Sequence, residues 1–313
     1  MEIFGPVPSR RLGISLGINN IPHKVCSYSC LYCQVGKGDR IEVERQKFYE
    51  PDYLVKKVEE ALNGIHDKKN YPDYLTIVPD GEPTLDINLG KLIEKLKLFN
   101  IPVAVITNST LLPDPRVRNE LLSADYVSVK CDSFNEDIWR KLNIPHKSLN
   151  LRDILDGINV FTKEFNGILV TETMLLKDLN DTENDLRNTA SIIASFNPDT
   201  AFISIPTRPT AFKKAERPDE QTITMAYDIF NKSIENVELL TGYEGNAFAS
   251  SGNFRDDMLS ITAVHPMRED AVMELLQRSG GKPDDLSKLI AEGLIEKVNY
   301  KGDDFYLRKF KRH

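Results

Sequence analysis

The sequence predicts an α/β fold built on a parallel sheet, and two observations carry that reading. Six short apolar runs between residues 11 and 205 are nearly all separated by amphipathic helical segments. Such alternation builds a parallel sheet with right-handed crossovers. The runs are mostly continuously apolar rather than alternating, as expected of strands covered on both faces.

Each element has a local reason. RLGISLGI (11–18) reads as the first strand, followed by a long cysteine-bearing loop over residues 19–40. Pro51 opens a helix in its first turn, where a missing N–H costs nothing. Leu54, Val55, Val58, Ala61 and Leu62 then share one face. YLTIV (74–78) is a strand, LGKLIEKLKLF (89–99) a helix and PVAVIT (102–107) a strand. Asp114 caps, and Pro115 begins, a helix over 114–122. DYVSVK (125–130) is a strand, and Asp132, Ser133 or Asn135 starts the helix NEDIWRKLN. LRDILDGINVFTKEF (151–165) is a helix with Leu151, Ile154, Leu155 and Ile158 on one side. GILVTETML (167–175) is a strand, Asp181 or Thr182 caps a helix through Phe196, and TAFISI (200–205) is the sixth strand. A helix over 219–234 and a strand at VELL (237–240) finish the core.

The rhythm then changes. GYEGNAFASSGNFRDD (242–257) is rich in Gly, Ser and Asn and reads as a loop. From 261 follow two helices ending at Gly280 and Gly293 and a hairpin turning at Lys301–Asp303. The expected organisation is a core over 1–240, a linker over 241–260 and a small winged-helix-like module over 261–313. Its helices carry mixed charge without a basic stripe, which argues against nucleic acid. Tyr300, Phe305 and Tyr306 read as packing residues, and the module as a cap or a peptide or protein dock.

The totals bound the function. The 313 residues are 41% hydrophobic and 28% charged, enough for one large and one small soluble domain. No apolar run approaches the length of a bilayer span, and the N-terminus lacks a secretory layout, so the expected location is the cytoplasm, with no membrane partner. A net charge of −7 and a pI of 5.4 argue against a broad nucleic-acid surface. The basic end (Arg308, Lys309, Lys311, Arg312) reads as a solvated tail. Three of the four cysteines fall within eight residues, which is a metal or redox pattern rather than a disulfide framework.

That loop is Cys26-Ser27-Tyr28-Ser29-Cys30-Leu31-Tyr32-Cys33. Thiolates are soft ligands suited to iron–sulfur clusters or zinc. Three on one loop can hold three corners of a cubane and leave the fourth iron open. The competing reading is a non-catalytic zinc adaptor in which His23 joins Cys26, Cys30 and Cys33. A third is a cluster-containing hydro-lyase that uses the open iron as a Lewis acid. Cys131 reads as a small core residue.

The spacing C-x3-C-x2-C, with Tyr32 before the last cysteine and the loop placed after the first strand, resembles the radical S-adenosylmethionine (radical SAM) signature. The resemblance covers roughly residues 1–240. It implies a partial (βα)6 barrel of parallel strands and a [4Fe-4S] cluster on Cys26, Cys30 and Cys33. SAM would chelate the fourth iron and be cleaved reductively to a 5′-deoxyadenosyl radical that abstracts hydrogen from a substrate, either an RNA base or a peptide or protein. A reductant such as flavodoxin or ferredoxin is implied.

The same resemblance assigns the other strand-end loops. Asp80-Gly81-Glu82-Pro83-Thr84 is similar to the family's Gly-Gly-Glu motif, with Asp80 in place of the first glycine, so Gly81, Glu82 and Pro83 are expected at the cofactor. Asn108 and Ser128 offer hydrogen bonds and Lys130 a cation for a carboxylate. Glu172, a lone acid in its strand, needs a partner, and Lys130 or Arg208 could supply one. Glu172 and Arg208 are the catalytic candidates. GPVPSRRLG, DGEPTL and LNIPH (142–146) look similar to the tRNA wyosine synthase-like branch. That branch has further N-terminal cysteines for a second cluster, and only Cys131 lies outside the loop here. The branch's substrate lysine has no secure counterpart.

Overall fold

In a computed structural model of the chain, residues 2–36, 40–65, 68–212, 214–240, 252–264, 266–300 and 302–309 are described. Most of the expected linker (241–251), Lys301 of the expected hairpin turn, and Lys311 and Arg312 of the basic end lie outside these residues.

The alternation read from sequence is present. β1 (Ile3–Ser9) and β2 (Gly13–Ile18) form a hairpin. β3 (Val25–Cys26) pairs with β4 (Arg40–Ile41) at the cysteine loop. There follow α1 (Pro51–Asn63), β5 (Tyr74–Ile77), α2 (Leu89–Leu96), β6 (Val103–Thr107), α3 (Pro115–Leu121) and β7 (Tyr126–Lys130). Next come α4 (Glu136–Asn143), α5 (Leu151–Glu164), β8 (Ile168–Met174), α6 (Glu183–Phe196), β9 (Thr200–Ser204), α7 (Glu220–Asn231) and β10 (Val237–Leu240). The caps follow the expected chemistry. Asp114 accepts from Arg116 N–H, Asn135 and Asn150 each accept from two backbone N–H groups, and Thr182 accepts from Asp185 N–H.

The main sheet has eight strands in the order β1-β2-β5-β6-β7-β8-β9-β10, parallel throughout except for the β1–β2 pair. The six expected strands form its centre, and β10 adds a seventh parallel strand. β1 is the strand that sequence reading missed. Its Pro6 and Pro8 argue against a strand, yet at a sheet edge a missing N–H donor is tolerated.

The sheet is curled into a half-barrel. In a flat sheet β2 and β10 would lie about 29 Å apart, six spacings of about 4.8 Å. Yet Arg10, in the turn leading into β2, donates from Nη1 to the Leu240 carbonyl at 2.6 Å. Leu12 of the same turn belongs to an inward cluster with Ala104, Tyr126, Val170, Phe202 and Leu240. The hairpin turn thus plugs the bottom of the half-barrel. Above it, Ser15 Oγ meets Thr76 Oγ1 at 2.6 Å, and higher still lie Lys130 and Glu172. The outer face buries the large core against the helices, with Leu54 and Val58 of α1, Leu92 and Ile93 of α2, and Ile154, Ile158 and Phe161 of α5 among its members.

Past the core, α8 (Phe254–Val264) precedes β11 (Met267–Arg268), α9 (Glu269–Arg278), α10 (Pro283–Ala291), β12 (Ile295–Tyr300) and β13 (Asp303–Arg308). The strands form an antiparallel sheet in the order β11-β13-β12. The two expected helices and the hairpin are therefore joined by a further helix, which begins inside the stretch read as linker, and a short third strand. Phe254, Met258, Ile261, Leu275, Leu276 and Tyr306 make a second core, and Val7 of β1 inserts into it. Phe305 and Tyr306 are buried packing residues, as expected. Among the described residues no helix is long and apolar enough to cross a membrane.

Because Leu12 is buried at the base of the half-barrel, Leu12→Ala should destabilise the protein by about 2–4 kcal/mol. Chemical denaturation of the two proteins side by side measures this.

Candidate active site

The cysteine loop has almost no secondary structure of its own, so its backbone groups are satisfied by neighbours. On one side runs the LNIPH segment. Ser29 N–H donates to the Asn143 and Ile144 carbonyls (3.0 and 3.1 Å), Leu31 N–H to Leu142 O (2.9 Å), and His146 N–H to Ser27 O (3.0 Å). Tyr28 is fixed by Trp139 Nε1, which donates to its hydroxyl at 2.8 Å. On another side, Ala211 N–H donates to Cys33 O (2.8 Å) and Phe212 N–H to Leu31 O (3.2 Å).

The third side is the DGEPT loop. Glu82 N–H donates to Val25 O at 3.0 Å and Lys24 N–H to Asp80 O at 2.9 Å. Here the need for Gly81 is steric. A Cβ on it would lie 2.0 Å from the Val25 carbonyl oxygen, which belongs to backbone and cannot yield cheaply. Glu82, 1% exposed, is the knot between loops. Its Oε1 accepts from Thr84 N–H (3.0 Å), Thr84 Oγ1 and Thr107 Oγ1 (both 2.6 Å), and its Oε2 accepts from Asn108 N–H (2.7 Å). Burial raises its pKa, and these four donors oppose the rise. Pro83 starts the short 3-10 turn that Glu82 caps. Asn108 in turn donates to Ser27 Oγ at 2.8 Å and to Cys26 Sγ at 3.5 Å.

Burial pushes the Cys26 and Cys33 thiols above their usual range and the Cys30 thiol up to about 12. Thiolates here therefore call for a cationic partner such as an iron–sulfur core. Two amide donors already point at sulfur, Asn108 at Cys26 and Asn143 at Cys30 (3.4 Å). This donor set fits a cluster. The zinc arrangement is not favoured. His23 places Nδ1 on Asp80 Oδ2 at 2.9 Å. Among the described residues no group of three or more His, Cys, Asp or Glu is placed to hold a single metal ion.

Below the loop opens a cavity of about 330 Å³. It brings together Tyr32, Cys33, Lys130, Glu172 and Arg208 of the expected residues. Glu172 finds two cations. Lys130 Nζ donates to its Oε1 at 2.9 Å and Arg11 pairs with its Oε2, while Ser204 Oγ donates at 3.0 Å. Burial lowers the Lys130 pKa. Lys130 also lies 5.0 Å from the centre of the Tyr32 ring, whose hydroxyl donates to Asp132. Arg208 donates to Gln34 Oε1 at 3.1 Å rather than to Glu172.

The remaining expected residues lie apart from the cavity wall. Gly81, Glu82, Pro83 and Asn108 brace the cysteine loop, and Ser128 is buried on the inner face two residues before Lys130. Cys131 is buried, and its carbonyl accepts from Thr173 Oγ1. Sequence reasoning missed Arg10 and Arg11, because their hairpin was not recognised. It also missed Asn143, and it read Asp132 as a possible helix start. Asp132 accepts from Tyr32, from Asn143 Nδ2 (2.8 Å) and from Met174 N–H (2.8 Å). The LNIPH motif contains Asn143 and was the available signal.

A parallel half-barrel with a three-cysteine loop over its C-terminal mouth defines a class of cofactor-dependent enzyme. The radical SAM superfamily model matches residues 20–190, and the chain belongs to that superfamily. It is 46% identical to the UPF0026 protein MJ1312 of Methanocaldococcus jannaschii over 98% of this chain and 96% of that one. It is 26% identical to a putative glycyl-radical enzyme activating enzyme, MJ1632, of the same organism, over 68% of this chain and 76% of the relative. Among solved structures, a radical SAM methyltransferase from Sphaerobacter thermophilus superposes with a TM-score of 0.57 at 15% identity, covering 72% of this chain and 66% of that one. TYW1 with a lysine-pyruvate adduct bound gives 0.54 at 17%, covering 70% and 74%. These two likenesses show the fold. Membership implies SAM and an iron–sulfur cluster.

Gly81→Ala should cost about 1–3 kcal/mol through overpacking against Val25. It should also lower the iron bound per chain after anaerobic reconstitution. Denaturation and iron analysis check the two effects together.

Proposed function

We propose that the protein holds a [4Fe-4S] cluster on Cys26, Cys30 and Cys33 and uses it to cleave SAM for hydrogen abstraction from a substrate in the adjoining cavity. The observation that carries this is the three-sided bracing of a three-thiol loop at the mouth of a buried, charged chamber. Held by Cys26, Cys30 and Cys33, the cluster would supply one electron for reductive cleavage of the SAM S–C5′ bond.

The chain's own residues position and exclude. Tyr32, held by Asp132, sets the wall beside Cys33. Lys130 and Arg11 both pair with Glu172, which orients their cationic groups in the cavity. The apolar wall of Phe4, Val7, Ile106, Met174 and Ile205 keeps water from a radical intermediate. A low-potential protein such as flavodoxin or ferredoxin is the proposed electron donor. An RNA base or a peptide or protein is the proposed substrate. A glycyl-radical activase among the relatives supports the second.

Anaerobic reconstitution with iron and sulfide, then dithionite and SAM, should yield 5′-deoxyadenosine. A variant with Cys26, Cys30 and Cys33 all changed to Ala should fall to background, and equal yield from it would overturn the proposal. Asn143→Leu removes an amide donor from the Cys30 sulfur. It should shift the cluster's reduction potential downward, because N–H donors favour the more negative reduced form. An EPR-monitored redox titration reads the shift.

A further inference from the structure

Asp132 stands between the chamber wall and the cysteine loop, and its two oxygens serve different neighbours. Oδ1 accepts from Met174 N–H at 2.8 Å, with Lys130 Nζ 3.8 Å away. Oδ2 accepts from the Tyr32 hydroxyl and from Asn143 Nδ2, the latter at 2.8 Å. Among the described residues these oxygens meet donors only, the pattern a carboxylate needs. The residue is 5% exposed, and its own carbonyl accepts from Asn180 Nδ2 at 2.7 Å. Backbone and side chain are thus both fastened to the end of β8 and the loop after it.

Asn143 carries that fixation to sulfur. It is buried, and its Nδ2 lies 3.4 Å from Cys30 Sγ as well as 2.8 Å from Asp132 Oδ2. An asparagine amide fits its space either way round, and its partners choose the face. Cysteine sulfur chooses weakly, because it is a poor donor and a poor acceptor. The Tyr32 hydroxyl, 3.3 Å from the same nitrogen, can donate or accept and so does not choose either. A carboxylate does choose, because it accepts and cannot donate. Asp132 therefore sets the NH2 group, not the carbonyl oxygen, against Cys30.

We infer that Asp132 is a positioning residue for the cluster, holding the Asn143 amide so that an N–H rather than a lone pair meets the Cys30 sulfur. This rests on the reading above that Cys26, Cys30 and Cys33 hold a cluster. N–H donors to sulfur favour the reduced form, and nearby negative charge opposes it. Asp132 thus acts in two opposed ways, directly through its charge and indirectly through Asn143. The substitution Asp132→Asn touches both. The Met174 N–H belongs to backbone and cannot turn, so the new amide keeps its oxygen there and presents NH2 to Asn143. Asn143 then turns over, and its carbonyl oxygen faces Cys30.

The test is a double-mutant cycle of wild type, Asp132→Asn, Asn143→Leu and the double variant, each full-length and anaerobically reconstituted, without SAM. In EPR-monitored redox titrations, Asp132→Asn should raise the cluster's potential in the Asn143→Leu background, because charge alone is lost. With Asn143 present the same substitution should give a smaller rise or a fall, because the N–H to sulfur is lost as well. Equal shifts in the two backgrounds, or a larger rise with Asn143 present, would overturn the inference. Pulsed EPR of the reduced cluster in D2O reads the bond itself. Wild type should show a deuteron coupling that Asn143→Leu and Asp132→Asn both lose and Tyr32→Phe keeps. Its survival in Asp132→Asn counts against the inference, and so does its loss in Tyr32→Phe. The Tyr32→Phe spectrum decides between Asp132 and Tyr32 even where Asp132→Asn holds no cluster. A wild-type chain that forms no cluster sinks the reading above and this inference together. A wild-type chain that forms the cluster and yields 5′-deoxyadenosine, with equal shifts across the cycle, sinks this inference alone.

Discussion

The structure around the site depends on one buried carboxylate and the glycine before it. Glu82 cannot reach water, so it needs hydrogen bonds from the protein, and it takes them from its own loop and from the loop after β6. That fixes Asn108, whose amide reaches the cysteine loop. The backbone of Gly81 lies against Val25, one residue before the first cysteine. Two strand ends and the thiol-bearing loop become one unit. A loop this irregular would otherwise lose its geometry to conformational entropy. Here adjacent elements supply the hydrogen bonds it cannot make within itself.

Much of the fold was legible because burial dictates pattern. Strands such as Val103–Thr107 and Tyr126–Lys130 are covered on both faces and read as apolar runs, and helices such as Leu151–Glu164 show a single apolar stripe. Local chemistry fixed the starts of α3, α4 and α6 at Asp114, Asn135 and Thr182. β1 was hidden because its two prolines are permitted only by its edge position, which is a tertiary fact. The curl of the sheet was hidden too. Periodicity records which residues are buried, not how strongly neighbouring strands rotate.

The site divides along the same line. The three cysteines and the loops that meet them stand out because chemistry at strand ends leaves polar residues in an apolar rhythm. The partners of individual side chains were not readable. Glu172 pairs with Lys130, as one expectation had it, and also with Arg11, 161 residues away in sequence and brought near only by the hairpin plug. Arg208 lies beside Gln34 of the cysteine loop instead. Glu82, expected at the cofactor by resemblance, makes its hydrogen bonds within the strand-end loops. The motif lost its first glycine to Asp80, and that residue rather than Glu82 lines the chamber.

Val7 belongs to two places at once. It lines the chamber, and it is also part of the apolar core formed by α8, α9 and the three-stranded sheet. Its side chain thus lies between the chamber and the C-terminal unit. The last sixty residues are for that reason masonry rather than an appendage. A chain synthesised only through β10 would keep every described residue that lines the chamber, yet the apolar contact of Val7 with the C-terminal unit would be bare to solvent.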